Sequence, residues 1–81
     1  MKLSVYSLKK SLYEGDAASV NVKTTSGEIT VLDHHRPLIT ELAAGTVTIV
    51  DATKKEHYLP VSSGFLEVSS ENRAKLIVDE A

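Results

Sequence analysis

Along much of the chain apolar and polar residues alternate one for one. In "DAASVNVKT" Ala18, Val20 and Val22 fall on one face of an extended segment, with Ser19, Asn21 and Lys23 on the other. "GEITV" sets Ile29 and Val31 against Glu28 and Thr30, and "GTVTIV" sets Val47 and Ile49 against Thr46 and Thr48. "FLEV" opposes Leu66 and Val68 to Glu67, while "AKLIV" offers Ala74, Leu76 and Val78 to one side. A period of two is the signature of half-buried strands. The runs are rich in Val, Ile and Thr, whose branched side chains suit a pleated surface.

Turn signals separate the runs: "EGD" at 14–16, "TSG" at 25–27, "AAG" at 43–45, "DATKK" at 51–55, "SSG" at 62–64 and "SEN" at 70–72. Short strands divided by such turns predict an all-β sandwich or barrel. "LITELAA" reads as a strand entering the turn at Gly45 rather than as a helix. Pro60 interrupts "HYLPV" and lacks a ladder donor, which assigns it to an edge strand or a bulge. In "LSVYSL" the alternation slips between Val5 and Tyr6, by a bulge or by burial of both faces. The inward positions predict a core of Val5, Val20, Val22, Ile29, Val31, Leu38, Val47, Ile49, Leu59, Leu66, Val68, Leu76 and Val78.

With 81 residues there is room for one domain, residues 1–81, burying roughly 60–65% of its unfolded surface. A net charge of −2 supplies no field to gather phosphates, which argues against a nucleic-acid partner. The absence of cysteine excludes disulfides, thiolate metal sites and a Cys nucleophile, and favours an intracellular setting. No apolar run approaches the ~18 residues of a membrane span. A role at a membrane would therefore need another subunit to hold the chain there.

The segment "DHHRP" concentrates the titratable chemistry. Histidine is the commonest metal ligand and titrates near neutrality. Adjacent residues of an extended chain point to opposite sides, so His34 and His35 do not readily share one ion, and His57 is the only further histidine. "SSG" lacks the flanking glycines and following helix of a nucleophile elbow. The four glycines are isolated and form no phosphate loop. The residues thus predict a soluble β interaction domain that folds without metal or cofactor, with no catalytic residue and with "DHHR" as a contact loop.

Two stretches carry a family resemblance. "GEITVLDHHRPLITEL" and "VSSGFLEV" resemble the ε subunit of the F-type rotary ATP synthase, whose motifs run G-E-x-x-I-x-P-x-H-A-P-L and S-G-G-F-L-E-V. Gly27, Glu28, His35, Pro37 and Leu38 fall on the first, continued by Leu42, Gly45 and Val47; Ser62 and Gly64 to Val68 fall on the second. Asp33-His34 replaces the family's Pro-Gly, Arg36 replaces its Ala, and Ser63 replaces the middle Gly. These departures suggest a divergent member or a paralogue in a variant synthase.

The resemblance implies a β-sandwich of two antiparallel sheets and about ten strands. It implies a non-catalytic central-stalk subunit that couples c-ring rotation to the γ subunit, peripheral on the cytoplasmic face of the cell inner membrane. Glu28, Asp33, His34, His35 and Arg36 would form the partner-binding loop. The family's C-terminal helical hairpin has no counterpart before Ala81, as in a truncated chain or a naturally hairpin-less subunit. ATP binding and inhibition of hydrolysis, which belong largely to that hairpin, are not expected. The alternative is a stand-alone β-sandwich module binding a ligand or peptide at a cleft or an exposed edge.

Overall fold

The computed structural model describes residues 1–81. Seven strands account for it: β1 (Lys2–Tyr6), β2 (Ser11–Thr24), β3 (Gly27–Leu32), β4 (Leu38–Leu42), β5 (Gly45–Asp51), β6 (Glu56–Val68) and β7 (Arg73–Glu80). The all-β expectation holds, but seven strands replace the expected ten. Two of the turn signals account for most of the difference. "EGD" lies inside β2 and "SSG" inside β6, so each joins two expected strands into one long one.

The strands belong to one continuous hydrogen-bonded network rather than two separate sheets. β2 pairs with β1 through its first half and with β3 and β5 through its second. β6 pairs with β5 through its first half, then with β4 and β7. The pairings β2–β5–β6–β7–β1–β2 close into a circuit; β3 hangs from β2 as an edge, and β4 pairs with β6 along its length and meets β2 at Thr24↔Leu42. All pairings are antiparallel except β1–β7, which run parallel from Lys2↔Arg73 to Tyr6↔Ile77.

Burial follows the alternation closely. In β7 the buried positions are Ala74, Leu76 and Val78, with the residues between them exposed. Ten of the expected core residues are buried, and Ile29, Leu38 and Leu59 pack against them while half-buried. Met1, Leu3, Ala17, Leu42, Val61 and Ala74 complete the core. One inward assignment fails: Ala18 is exposed and Ala17 is buried. The register against β5 slips between Ala17 and Ser19, and that bulge exchanges the faces of the two alanines. A second slip, between Val5 and Tyr6, accounts for the broken alternation in β1.

Pro60 satisfies both readings of its place. It pairs with Thr46 of β5, while the opposite side of β6 has no strand partner before Val61↔Glu80. A bulge between Val61 and Ser63 follows directly. Beyond it Gly64 has φ 157° and lies against β7. A Cβ there would press into the Ile77 carbonyl oxygen and the Val78 backbone. Gly15, at φ 148°, has no neighbouring atom within 4 Å of the same position.

These contacts set two expectations for urea unfolding. Leu66→Ala removes a side chain with 0% exposure and should cost about 2–5 kcal/mol, a large share of a small domain's stability. Gly64→Ala should destabilise clearly more than Gly15→Ala, because both strain the backbone but only the first meets another strand. Equal losses at the two glycines would remove the close approach of β6 and β7 as the reason for Gly64.

Candidate functional site

Between β3 and β4 the five residues Asp33–Pro37 form a tight loop at one end of the domain. The His35 N–H donates to the Leu32 carbonyl at 3.2 Å, closing the turn. His34 takes the left-handed conformation this requires, with φ 61°. Across from it stands the β6–β7 turn, where Asn72 is also left-handed at φ 58°. The His34 N–H donates to Asn72 Oδ1 at 2.7 Å, and Asn72 Nδ2 lies 3.5 Å from Asp33 Oδ1. The Met1 amino group donates to the same Asp33 oxygen. That hydrogen bond, aided by the amino group's charge, Asn72 and His34, holds the Asp33 carboxyl below its usual range, against a smaller opposing effect of desolvation.

The two adjacent histidines have different surroundings. His34 is exposed; His35 is half-buried and its Nδ1–H donates to the Arg36 carbonyl at 2.8 Å. His57 does not join them. Its Nε2 lies 2.9 Å from Asp51 Oδ2, and its ring meets the Tyr13 ring edge-on with centroids 5.4 Å apart. No three metal-ligating side chains converge anywhere in the chain. Asp51 acts as an anchor for the β5–β6 turn: Oδ1 accepts from the Thr53 N–H at 2.9 Å, the Thr53 hydroxyl at 2.7 Å and the Lys55 N–H at 3.0 Å. The His57 hydrogen bond foremost, then those from Thr53 and Lys55, holds the Asp51 carboxyl far below its ordinary range.

Asp33, His34, His35 and Arg36 are therefore brought together, and Glu28 is not. Glu28 is exposed near the start of β3, opposite Lys23, beside the Thr25–Ser26 turn. Five residues of extended chain, about 16 Å at 3.3 Å per residue, separate it from Asp33. The expected contact residues thus occupy both ends of one edge strand.

An apolar outer surface was missed by reasoning that looked only for inward positions. Phe65 of β6 and Ile77 of β7 are direct cross-strand partners, and Ile39 of β4 lies on the diagonal from Phe65. They are 57%, 45% and 74% exposed. With Glu67 and Lys75 they line a shallow depression of about 250 Å³. Leu8, 90% exposed at the β1–β2 turn, extends the surface past Gly64. The signal was present in the sequence: strands β6 and β7 carry Phe65 and Ile77 at outward positions of the alternation, where a solvated sheet carries polar residues.

Comparison with known proteins yields a consistent set. The family model described as the ATP synthase, Delta/Epsilon chain, beta-sandwich domain matches residues 1–81. The "ATP synthase epsilon chain 2" of Burkholderia orbicola is 46% identical over 82 residues, covering 100% of this chain and 53% of that protein. The "ATP synthase epsilon chain, sodium ion specific" of Propionigenium modestum is 39% identical over 80 residues, covering 99% and 57%. The chain spans about half the length of these curated relatives. Among solved structures, a chain of the Euglena gracilis mitochondrial ATP synthase OSCP/F1/c-ring assembly superposes with a TM-score of 0.90 at 22% identity, over 96% of this chain and 49% of that one. A chain of the Tetrahymena thermophila central stalk/c-ring structure gives 0.84 at 14%, over 99% and 63%. At these identities the structural likeness concerns the fold.

The lowered carboxyls of Asp51 and Asp33 give stability a defined acid limb. A carboxyl depressed in the folded state contributes fully above the unfolded value of ~3.9, and its contribution is lost as pH falls toward the depressed value. Asp51→Asn should lower stability at neutral pH and flatten its decline below about pH 4. Chemical denaturation at a series of pH values reads both. A variant with an unchanged acid limb would show that Asp51 does not anchor the turn as a carboxylate.

Proposed function

The chain belongs to the ATP synthase delta/epsilon chain β-sandwich family, and from that premise we propose that it is a non-catalytic central-stalk component of an F-type rotary ATP synthase. In this reading it binds the γ subunit, touches the polar loops of the c-ring, and passes rotation from one to the other. Its place is peripheral, on the cytoplasmic face of the cell inner membrane, held there by the complex. The network of strands acts as two facing layers, a reading supported by the change of partners halfway along both β2 and β6.

The observation that carries the proposal is the apolar stripe of Ile39, Phe65 and Ile77 on a chain of this family. It is an outward surface of three large side chains on three hydrogen-bonded strands, bordered by Glu67 and Lys75. Apolar anchors inside a polar rim are the anatomy of a protein interface. We assign this face to γ. Glu28 and the Asp33–Arg36 loop meet the ring at the edge of the domain, where exposed charges contribute on the order of 0–1 kcal/mol each. Such contacts set register and resistance to slip more than affinity.

Two sets of variants separate the surfaces. Phe65→Lys with Ile77→Glu, opposite charges on cross-strand partners, should leave the fold intact and weaken γ binding by roughly tenfold or more, as expected when central anchors are lost. Glu28→Ala with His35→Ala should weaken γ binding only modestly while loosening coupling between ATP hydrolysis and ion pumping in the assembled enzyme. Copurification and calorimetry with γ read the first, and pumping assays read the second. A protein that never copurifies with γ, or cysteines at 28 and 35 that crosslink only to proteins outside the ring, would overturn the assignment.

A further inference from the structure

We infer that Asn72 is a positioning residue: from the β6–β7 turn it sets the shape of the Asp33–Arg36 loop and ties that loop to the β1–β7 pair. Calling this loop a contact surface rests on the function proposed above; its dependence on Asn72 does not.

Asn72 makes connections in three directions. Its side-chain oxygen accepts the His34 N–H at 2.7 Å, its side-chain nitrogen approaches Asp33 Oδ1 at 3.5 Å, and its backbone carbonyl accepts the Lys2 N–H at 3.1 Å. The first two reach the loop, 38 and 39 residues away in sequence. The third reaches β1, which runs beside β7. An exposed backbone N–H ordinarily turns to water, so a short hydrogen bond to it from a distant side chain fixes orientation more than it adds stability.

The conformations at both ends strengthen the case. His34 and Asn72 are left-handed non-glycine residues that face each other across this hydrogen bond. Asparagine and histidine are both enriched in that region among non-glycine residues. The hydrogen bond therefore joins two chain reversals and fixes how one sits against the other. Asn72 also links the ring-facing loop to the strand that carries Ile77 of the apolar stripe. A loop held in this way moves with the stripe rather than independently of it, as a part that transmits torque must.

The test is amide exchange by NMR on two variants of the protein. Asn72→Gly keeps a backbone suited to φ 58° and removes the side chain. Asn72→Asp combined with Asp33→Asn keeps an oxygen able to accept the His34 N–H and avoids setting two carboxylates against each other. The expected result is that Asn72→Gly speeds exchange of the His34 amide by about five- to tenfold, the factor a net hydrogen bond commands, with Val31 and Leu76 unaffected, and that the exchanged pair Asn72→Asp/Asp33→Asn retains protection. An unchanged His34 amide in Asn72→Gly, or an equal acceleration at Val31 and Leu76, would overturn the inference, the latter by revealing general destabilisation. A parallel arm measures crosslinking from a cysteine at 35 to the ring in the assembled enzyme, which should fall in Asn72→Gly. Absence of that crosslink in the parent protein, alongside the expected exchange result, would discard the ring contact and leave the positioning role standing.

Discussion

A 14-residue strand laid straight would run about 46 Å, and the longest dimension of the domain is 26 Å. β2 therefore has to bend, and β6, at 13 residues, is under the same compulsion. Each changes neighbours where it bends. β2 leaves β1 at Asp16 and takes up β5 from Ala17; β6 leaves β5 at Val61 and joins β4 and β7 from there on. A glycine in the region open to few other residues lies near each change, Gly15 in one strand and Gly64 in the other. The bends close the ring of pairings around the core, so the burial of Val20, Ile49, Leu66 and Leu76 depends on them. They also aim the outer surfaces, because Phe65 follows Gly64 directly.

The same bends mark where sequence reasoning stopped. A glycine among small polar residues reads as a turn between two strands, and "EGD" and "SSG" have that composition whether the chain reverses or merely curves. Only the neighbouring strands decide, through which backbone groups remain to be paired. Alternation located the core well where the pleat is regular, as at Ala74, Leu76 and Val78. It failed at Ala17 and Ala18, where two identical side chains carry no sign of which one the bulge turns inward. Leu42 and Val61 escaped because each sits where a strand ends or changes register.

For the candidate site, proximity in sequence was a good guide within the loop and a poor one along the strand. Asp33 to Arg36 stay together because a left-handed residue folds the chain back at His34. Glu28 is carried away because extended chain separates its ends faster than any other regular structure. Asn72 was legible only as part of the turn signal "SEN", and its tie to the loop was not, since those partners lie in the first half of the chain. Asp33 drew attention as part of a titratable run and Asp51 only as part of a turn, yet both carboxylates serve as acceptors that hold chain segments in place. The surface suited to recognition is built instead from apolar side chains on paired strands, whose geometry the ladder already fixes.

The parallel pairing of β1 with β7 bears on the order in which the domain is made. Leu3 and Val5 belong to the core, but their strand runs beside Arg73–Ile77, almost the whole chain later. At ~5–20 residues per second, roughly 4–14 s of synthesis separate the two. During that interval β1 has only the first half of β2 beside it, and a two-stranded hairpin is marginal in water. The closed ring that leaves the finished domain so few open edges is therefore its last feature to form. A nascent chain must keep β1 from other partners for several seconds, a wait that shortens for each strand nearer β7.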